Sequence, residues 1–174
     1  AMSKLSFIVP IVLMFIFILI YMALKNLKYT LIIFCTLPFA LSGGVFYIEY
    51  LGFNISIAVI VGFMALLGVA AETSIVMMLY LDEAYKNIKE KRDYAVKEAI
   101  YHGAVLRLRP KLMTLFAILG GLIPIMYINS IGSEVMQRVA APMIGGMLSS
   151  TILTLIIIPA IFYLVILKKD KIID

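Results

Sequence analysis

Five stretches of this chain are apolar over enough residues to cross a bilayer, and this limits its fold more than any other feature. Crossing roughly 30 Å of hydrocarbon takes about 20 helical residues. The stretches run over residues 5–24, 29–48, 55–81, 112–128 and 139–167. Composition agrees, with 64% of the 174 residues hydrophobic, only 14% charged and a mean hydropathy of +1.10. An average globular chain is about a quarter charged, and a soluble domain of this size cannot bury so much apolar surface. Inside a bilayer the backbone must pair with itself, so the spans are helices and the expected fold is all-α. The first stretch is too long for a cleaved signal peptide, whose apolar region is about 7–15 residues. Disordered, collagen-like, coiled-coil and nucleic-acid-binding classes fail for the same compositional reason.

The connections are short except for residues 82–111. If the first loop faces the cytoplasm, so do Lys25 and Lys28, eight basic residues between 82 and 111, and three beyond 167. That places 13 of the 15 basic residues on one side, leaving Lys4 and Arg138 outside. The positive-inside rule then puts the N-terminus outside and the C-terminus in the cytoplasm of a multi-pass membrane protein. The pI near 9.3 follows from these loops and implies no nucleic-acid partner. Within 82–111, Leu81, Ala84, Tyr85 and Ile88 recur at helical spacing, and so do Ala95, Val96, Ala99 and Ile100. The spacing predicts a helical extension and then an amphipathic helix on the inner membrane surface, with Asp93 as N-cap and Gly103 as its stop. The plainer alternative is a solvated connector.

Glu72 lies in the interior of the third stretch, roughly 13 Å from its cytoplasmic end at 1.5 Å per residue. A carboxylate at such depth costs about 2.5–3.5 kcal/mol on insertion scales. Ala65, Gly68 and Glu72 share one helix face, which suits close approach of a neighbouring helix. Two roles fit the position: gain and loss of a proton, or a neutral hydrogen-bonding group that joins helices. Lys111 follows Pro110 at the start of the fourth stretch, where an interface lysine that snorkels is the simplest account. Most of the 11 methionines sit in spans as apolar filling. Met136 differs because it falls in the polar outer segment GSEVMQR, and a thioether suits soft monovalent metal ions. Cys35 is mid-span and is expected to serve packing. A single cysteine and a single histidine exclude an internal disulfide framework and leave little for a conventional metal site. No nucleotide-binding loop, nucleophile–base pair or resident cofactor is expected, and the chain is not read as an enzyme. Pro124, Pro142 and Pro159, with Gly120–Gly121 and Gly145–Gly146, predict kinked, closely packed helices.

Three blocks, GVAAETSIVMMLYLDEA at 68–84, EAIYHGAVLRLRPKLMT at 98–114 and GSEVMQRVAAPMIGGM at 132–147, resemble the heavy-metal efflux branch of the resistance–nodulation–division (RND) permeases. The resemblance covers nearly the whole chain. It implies that the five spans and the amphipathic connection match the last five spans of a twelve-span permease, with seven spans and the periplasmic porter domains lying elsewhere. It also implies a proton/metal antiporter exporting copper/silver or a cobalt/zinc/cadmium-type ion. The permease would be a homotrimer coupled to a periplasmic adaptor and an outer-membrane channel. Multidrug members of the superfamily place a lysine where Glu72 stands and an apolar residue where Lys111 stands. The heavy-metal branch is similar to this chain at both, and the resemblance implies that Glu72 and Lys111 join a proton relay whose further acid comes from a span outside this chain. It further implies that Met136 contributes to a periplasmic thioether cluster. A multidrug RND tail and a non-transporting split or truncated subunit are the alternative functions. One geometric point stays open: with Lys111 near the surface, its arm of about 6 Å does not reach Glu72. Either the fourth span starts deeper or another group bridges the pair.

The charge asymmetry makes topology testable. In a variant lacking Cys35, cysteines placed between residues 86 and 97 should react only with reagents supplied from the cytoplasm, and Ser130→Cys only with external ones. Reversed labelling would invert the orientation and break the match to the permease.

Overall fold

The computed structural model describes residues 2–90 and 96–170. It consists of α1 (Met2–Leu24), α2 (Leu27–Leu51), α3 (Ile57–Glu90), α4 (Val96–Tyr127), α5 (Ser133–Ile152), a π-turn (Leu153–Ile157) and α6 (Ile158–Asp170). Five helical stretches are long and apolar enough to cross a membrane, at Phe7–Leu24, Leu27–Leu51, Ile57–Asn87, Ile100–Tyr127 and Ser133–Ile166. The all-α, five-span architecture is therefore the one that hydropathy predicts. No strand occurs among the described residues.

Local chemistry sets the turns. Asn26 caps α2, its side-chain oxygen accepting from the Lys28 amide at 3.0 Å. Gly52 ends α2 in the left-handed region at φ 69°, and Gly132 precedes α5 at φ 87°, where a Cβ would be strained. The fifth span is continuous but not uniform. Pro159 has no amide hydrogen and its ring crowds the carbonyl four residues earlier. The helix widens just before it, so the Ile158 amide reaches back to the Leu153 carbonyl.

The bundle is organised by the crossing of α2 over α5. A Cβ on Gly43 would lie 2.6 Å from the Gly145 carbonyl oxygen, and a Cβ on Gly145 would lie 2.5 Å from the Tyr47 Cβ. The two backbones touch there, and Ser149 Oγ crosses the interface to donate to the Ala40 carbonyl at 2.8 Å. Lipid tails are as apolar as leucine, so such contacts rather than water exclusion hold membrane helices together. Around the crossing lie three apolar clusters. At the end carrying the 25–26 loop, Ile33, Leu37, Met77, Leu81 and Phe162 pack together. At the opposite end Ile48, Val59 and Ala141 do so, and Leu66, Leu115 and Met147 join α3, α4 and α5 between them. The first span is peripheral, with 6% of its span buried.

Several expectations are corrected. Residues 96–103 are helical, but Gly103 does not stop the helix. Helix α4 runs through it and through Pro110 into the fourth apolar stretch without a break. Gly103 serves instead as a contact point, since a Cβ there would meet the Ala84 Cβ and the Tyr80 carbonyl at 3.3 Å. Asp93 lies outside the described residues. Gly145–Gly146 is closely packed as expected, whereas a Cβ on Gly120 or Gly121 meets nothing within 4 Å. Cys35 is exposed rather than packed.

The contrast between the glycines yields a stability test. Gly145→Ala should lower the thermal midpoint in detergent, with an overpacking cost of about 1–3 kcal/mol. Gly121→Ala should leave it unchanged or raise it, since alanine favours a helix by up to about 1 kcal/mol. Equal tolerance at both positions would mean the α2–α5 crossing is not close-packed.

Candidate ion-coupling site

Glu72 and Lys111 both lie inside long apolar helices rather than at their ends. Glu72 is the central residue of the Ile57–Asn87 span, and Lys111 lies 11 residues inside the span that begins at Ile100. Because α4 continues unbroken along α3, Lys111 is buried in the bundle rather than held at its surface. Their exposures are opposite. Lys111 is only 3% exposed and its Nζ has no hydrogen-bond partner among the described residues. Glu72, with Ala65 and Gly68 on the same face, is exposed on the outside of the bundle, and no atom lies within 4 Å of a Cβ built on Gly68. No ion pair joins Glu72 to Lys111 among the described residues, although the charges of Glu72 and Arg107 both act on Lys111.

Local folding explains this arrangement. Lys111 and Leu115 are one turn apart on the α4 stripe that turns inward, and Leu115 belongs to the cluster with Leu66 and Met147. Continuing α4 through Pro110 therefore carries the ammonium into the bundle. One turn earlier, the Arg107 guanidinium lies 5.5 Å from the centre of the Tyr80 ring on α3, a cation–π contact that ties the two helices. Sequence patterning alone did not single out Arg107. Its spacing of four residues before Lys111 in RLRPK was the available signal.

A second polar cluster was also missed. The Tyr29 hydroxyl donates to Asp82 Oδ1 at 3.3 Å, and Lys86 Nζ lies 2.7 Å from Asp82 Oδ2. Tyr29 and Tyr85 flank Phe162 at centroid distances of 5.6 and 6.5 Å. The Tyr29–Asp82 bond joins α2 to α3 across 53 residues of sequence, and Phe162 brings in α6, which no local pattern could reveal.

Met136 stands one turn inside α5 rather than in a loop. It is exposed and lines a shallow cleft of about 210 Å³ with Ile128, Ser130 and Ser133, among others. No second thioether lines that cleft, and no cluster of three histidine, cysteine, aspartate or glutamate side chains occurs among the described residues. Met136 is thus a single thioether in that cleft. The charge of Glu72 reaches Lys111, but the two side chains face opposite sides of the bundle wall and make no ion pair, and Met136 lies at a separate site.

A membrane-embedded helical bundle with two ionisable groups mid-span has the form of a transporter segment, and comparison with known proteins agrees. Residues 1–166 match the AcrB/AcrD/AcrF family. The chain belongs to that family of RND permeases, on its heavy-metal branch. It is 47% identical over 177 residues to the putative cation efflux system protein SilA of Salmonella typhimurium, a match covering 98% of this chain and 17% of that protein. It is 45% identical over 178 residues to the cation efflux system protein CusA of Escherichia coli K12, covering 99% and 17%. With the cobalt-zinc-cadmium resistance protein CzcA of Cupriavidus metallidurans the identity is 36% over 171 residues, covering 98% and 16%. A crystal structure of a heavy metal efflux pump superposes with a TM-score of 0.81 at 34% identity, covering 94% of this chain and 15% of that one. The chain therefore spans about one sixth of the length of these relatives. Such coverage fits one membrane portion of a larger permease.

The unpartnered ammonium has a measurable consequence. In this five-helix chain purified in detergent, Lys111→Met keeps the length of the side chain and removes a buried unsatisfied charge, a group that costs about 1–3 kcal/mol or more. The thermal midpoint should rise, while Glu72→Gln on the exposed face should leave it within error. A lower midpoint for Lys111→Met would mean that the ammonium is held by a counter-charge.

Proposed function

We propose that this chain is the C-terminal membrane portion of a proton-driven heavy-metal efflux permease, in which Glu72 and Lys111 carry part of the proton relay. The observation that carries the proposal is the pairing of an outward-facing mid-span carboxylate with a buried mid-span ammonium lacking a partner. A carboxylate facing lipid at that depth is unfavourable, and an intramembrane acid normally faces protein or a water-filled path. The face around Gly68 has room for a further helix, and the relatives' greater length supplies helices to fill it. An acid on such a helix would share the proton with Glu72 and give Lys111 its counter-charge. Proton entry would then change which of these groups is charged and so alter how the helices pack, coupling protonation to movement.

The cargo in this proposal is a heavy-metal cation, copper/silver or a divalent ion, with protons moving inward. The higher identity to SilA and CusA than to CzcA leans toward the copper/silver group, and the exposed Met136 thioether suits a soft ion. The N-terminus is periplasmic and the C-terminus cytoplasmic, as the basic loops require. The working assembly is a homotrimer with a periplasmic adaptor and an outer-membrane channel.

The test is proton coupling in a complete permease ending in this chain. Glu72→Gln keeps size and hydrogen bonding but cannot ionise. Metal flux in proteoliposomes should fall to near background at normal protein levels, and Glu72→Asp should retain part of it. If Glu72 only joined helices, glutamine would serve well and aspartate poorly. Near-normal flux in the Gln variant would remove Glu72 from the relay.

A further inference from the structure

Helices α2 and α5 pack along most of their length, but α2 barely touches the π-turn and α6. Below the glycine crossing the two spans splay, and a groove of about 500 Å³ opens between them. Leu31, Cys35, Thr36 and Phe39 form one wall, and Ile157 and Ile161 the other. The π-turn shapes it: Ile157 ends the widened turn and is 40% exposed. The one hydroxyl in the wall is already committed, since Thr36 Oγ1 donates to the Ile33 carbonyl at 2.7 Å. Nothing in the groove calls for a polar ligand.

Size and charge select the occupant. Two turns of helix, about 11 Å long and 10 Å across, fill roughly 850 Å³, so the groove does not take in a whole helix, and a further span could lay only side chains in it. A methylene takes about the room of a water molecule, ~30 Å³, so 500 Å³ holds a chain of roughly 16 carbons. The α2 wall continues to Lys28, three residues before Leu31 on the same stripe and exposed, with Lys25 beyond it. From Lys28 to Phe39 the helix rises roughly 16 Å, about half of the ~30 Å hydrocarbon core, which is the depth of one leaflet. A chain seated in the groove therefore ends at a cluster of positive charge where its headgroup must lie.

From this we infer that the groove between α2 and α6 is a retained phospholipid site. One acyl chain fills the apolar wedge and an anionic phosphate headgroup sits at Lys28 in the leaflet on that side. Its role is to close the packing gap left where the fifth span widens. The inference is independent of the proton relay.

The experiment uses a complete permease ending in this chain, reconstituted in equimolar phosphatidylglycerol and phosphatidylcholine, extracted into detergent and weighed intact. The unmodified permease should keep one more phosphatidylglycerol per protomer than Cys35→Trp, whose indole fills the groove from an exposed position. Lys28→Gln should keep a lipid there but lower the preference for phosphatidylglycerol about fivefold, the factor one juxtamembrane lysine is worth. Equal lipid counts in Cys35→Trp and the unmodified protein would overturn the proposal, as would loss of phosphatidylcholine instead. A phosphatidylglycerol with a photoreactive acyl chain gives a test without any variant. Labelling of residues 31–39 and 157–161 supports the site. Absence of label there would mean that side chains of another span fill the groove.

Discussion

The rest of this structure depends on the contact between α2 and α5 at Gly43, Gly44 and Gly145. Their missing side chains let two backbones meet, and the Ser149 hydroxyl bonds across the gap to a backbone carbonyl. In a bilayer no water is displaced when helices associate, so close approach must supply the attraction. Once these helices are joined, α3 is held in their groove through Gly62 and Leu66, and α4 is held through Leu115. The crossing also sets where the spans diverge. The wedge between α2 and α6 is a geometric result of a tight contact at one end and a widened turn at the other.

The two mid-span charges reflect a bundle that is satisfied on one side only. Lys111 points into the bundle because α4 continues without a break, and Glu72 points out because its face of α3 has no neighbour. A buried ammonium without a hydrogen bond and an acid at mid-depth are each unfavourable alone. In the proposed permease the same two features would meet further polar groups contributed from outside this chain. This is why a chain matching a sixth of its relatives' length can hold a well-packed core on one face and an open one on the other.

Much of this was legible in the order of residues. Hydropathy marks five spans because the bilayer demands about 20 apolar residues each, and the loop charges indicate a preferred orientation. Glu72 stood out because an acid in such a stretch needs a reason. The stop expected at Gly103 was wrong for a physical reason: glycine in a helix interior costs only about 1 kcal/mol relative to alanine. Here the lost side chain permits contact with Tyr80 and Ala84. Local rules cannot distinguish a glycine that ends a helix from one that admits a neighbour. The same limit applies to Gly120–Gly121 and Gly145–Gly146, identical pairs of which only the second is packed.

What the sequence by itself determined was the solvent, the helical class, the number of spans and the identity of the ionisable groups within them. These follow from period, length and charge, which are properties of a segment and its medium. Only the tertiary structure decided that Lys111 is buried and Glu72 is not, that Cys35 lines a groove, and that Tyr29 meets Asp82. Those outcomes depend on which helix faces which, and on where backbones approach or diverge. Such choices are made between segments distant in the chain, where no local pattern carries the information.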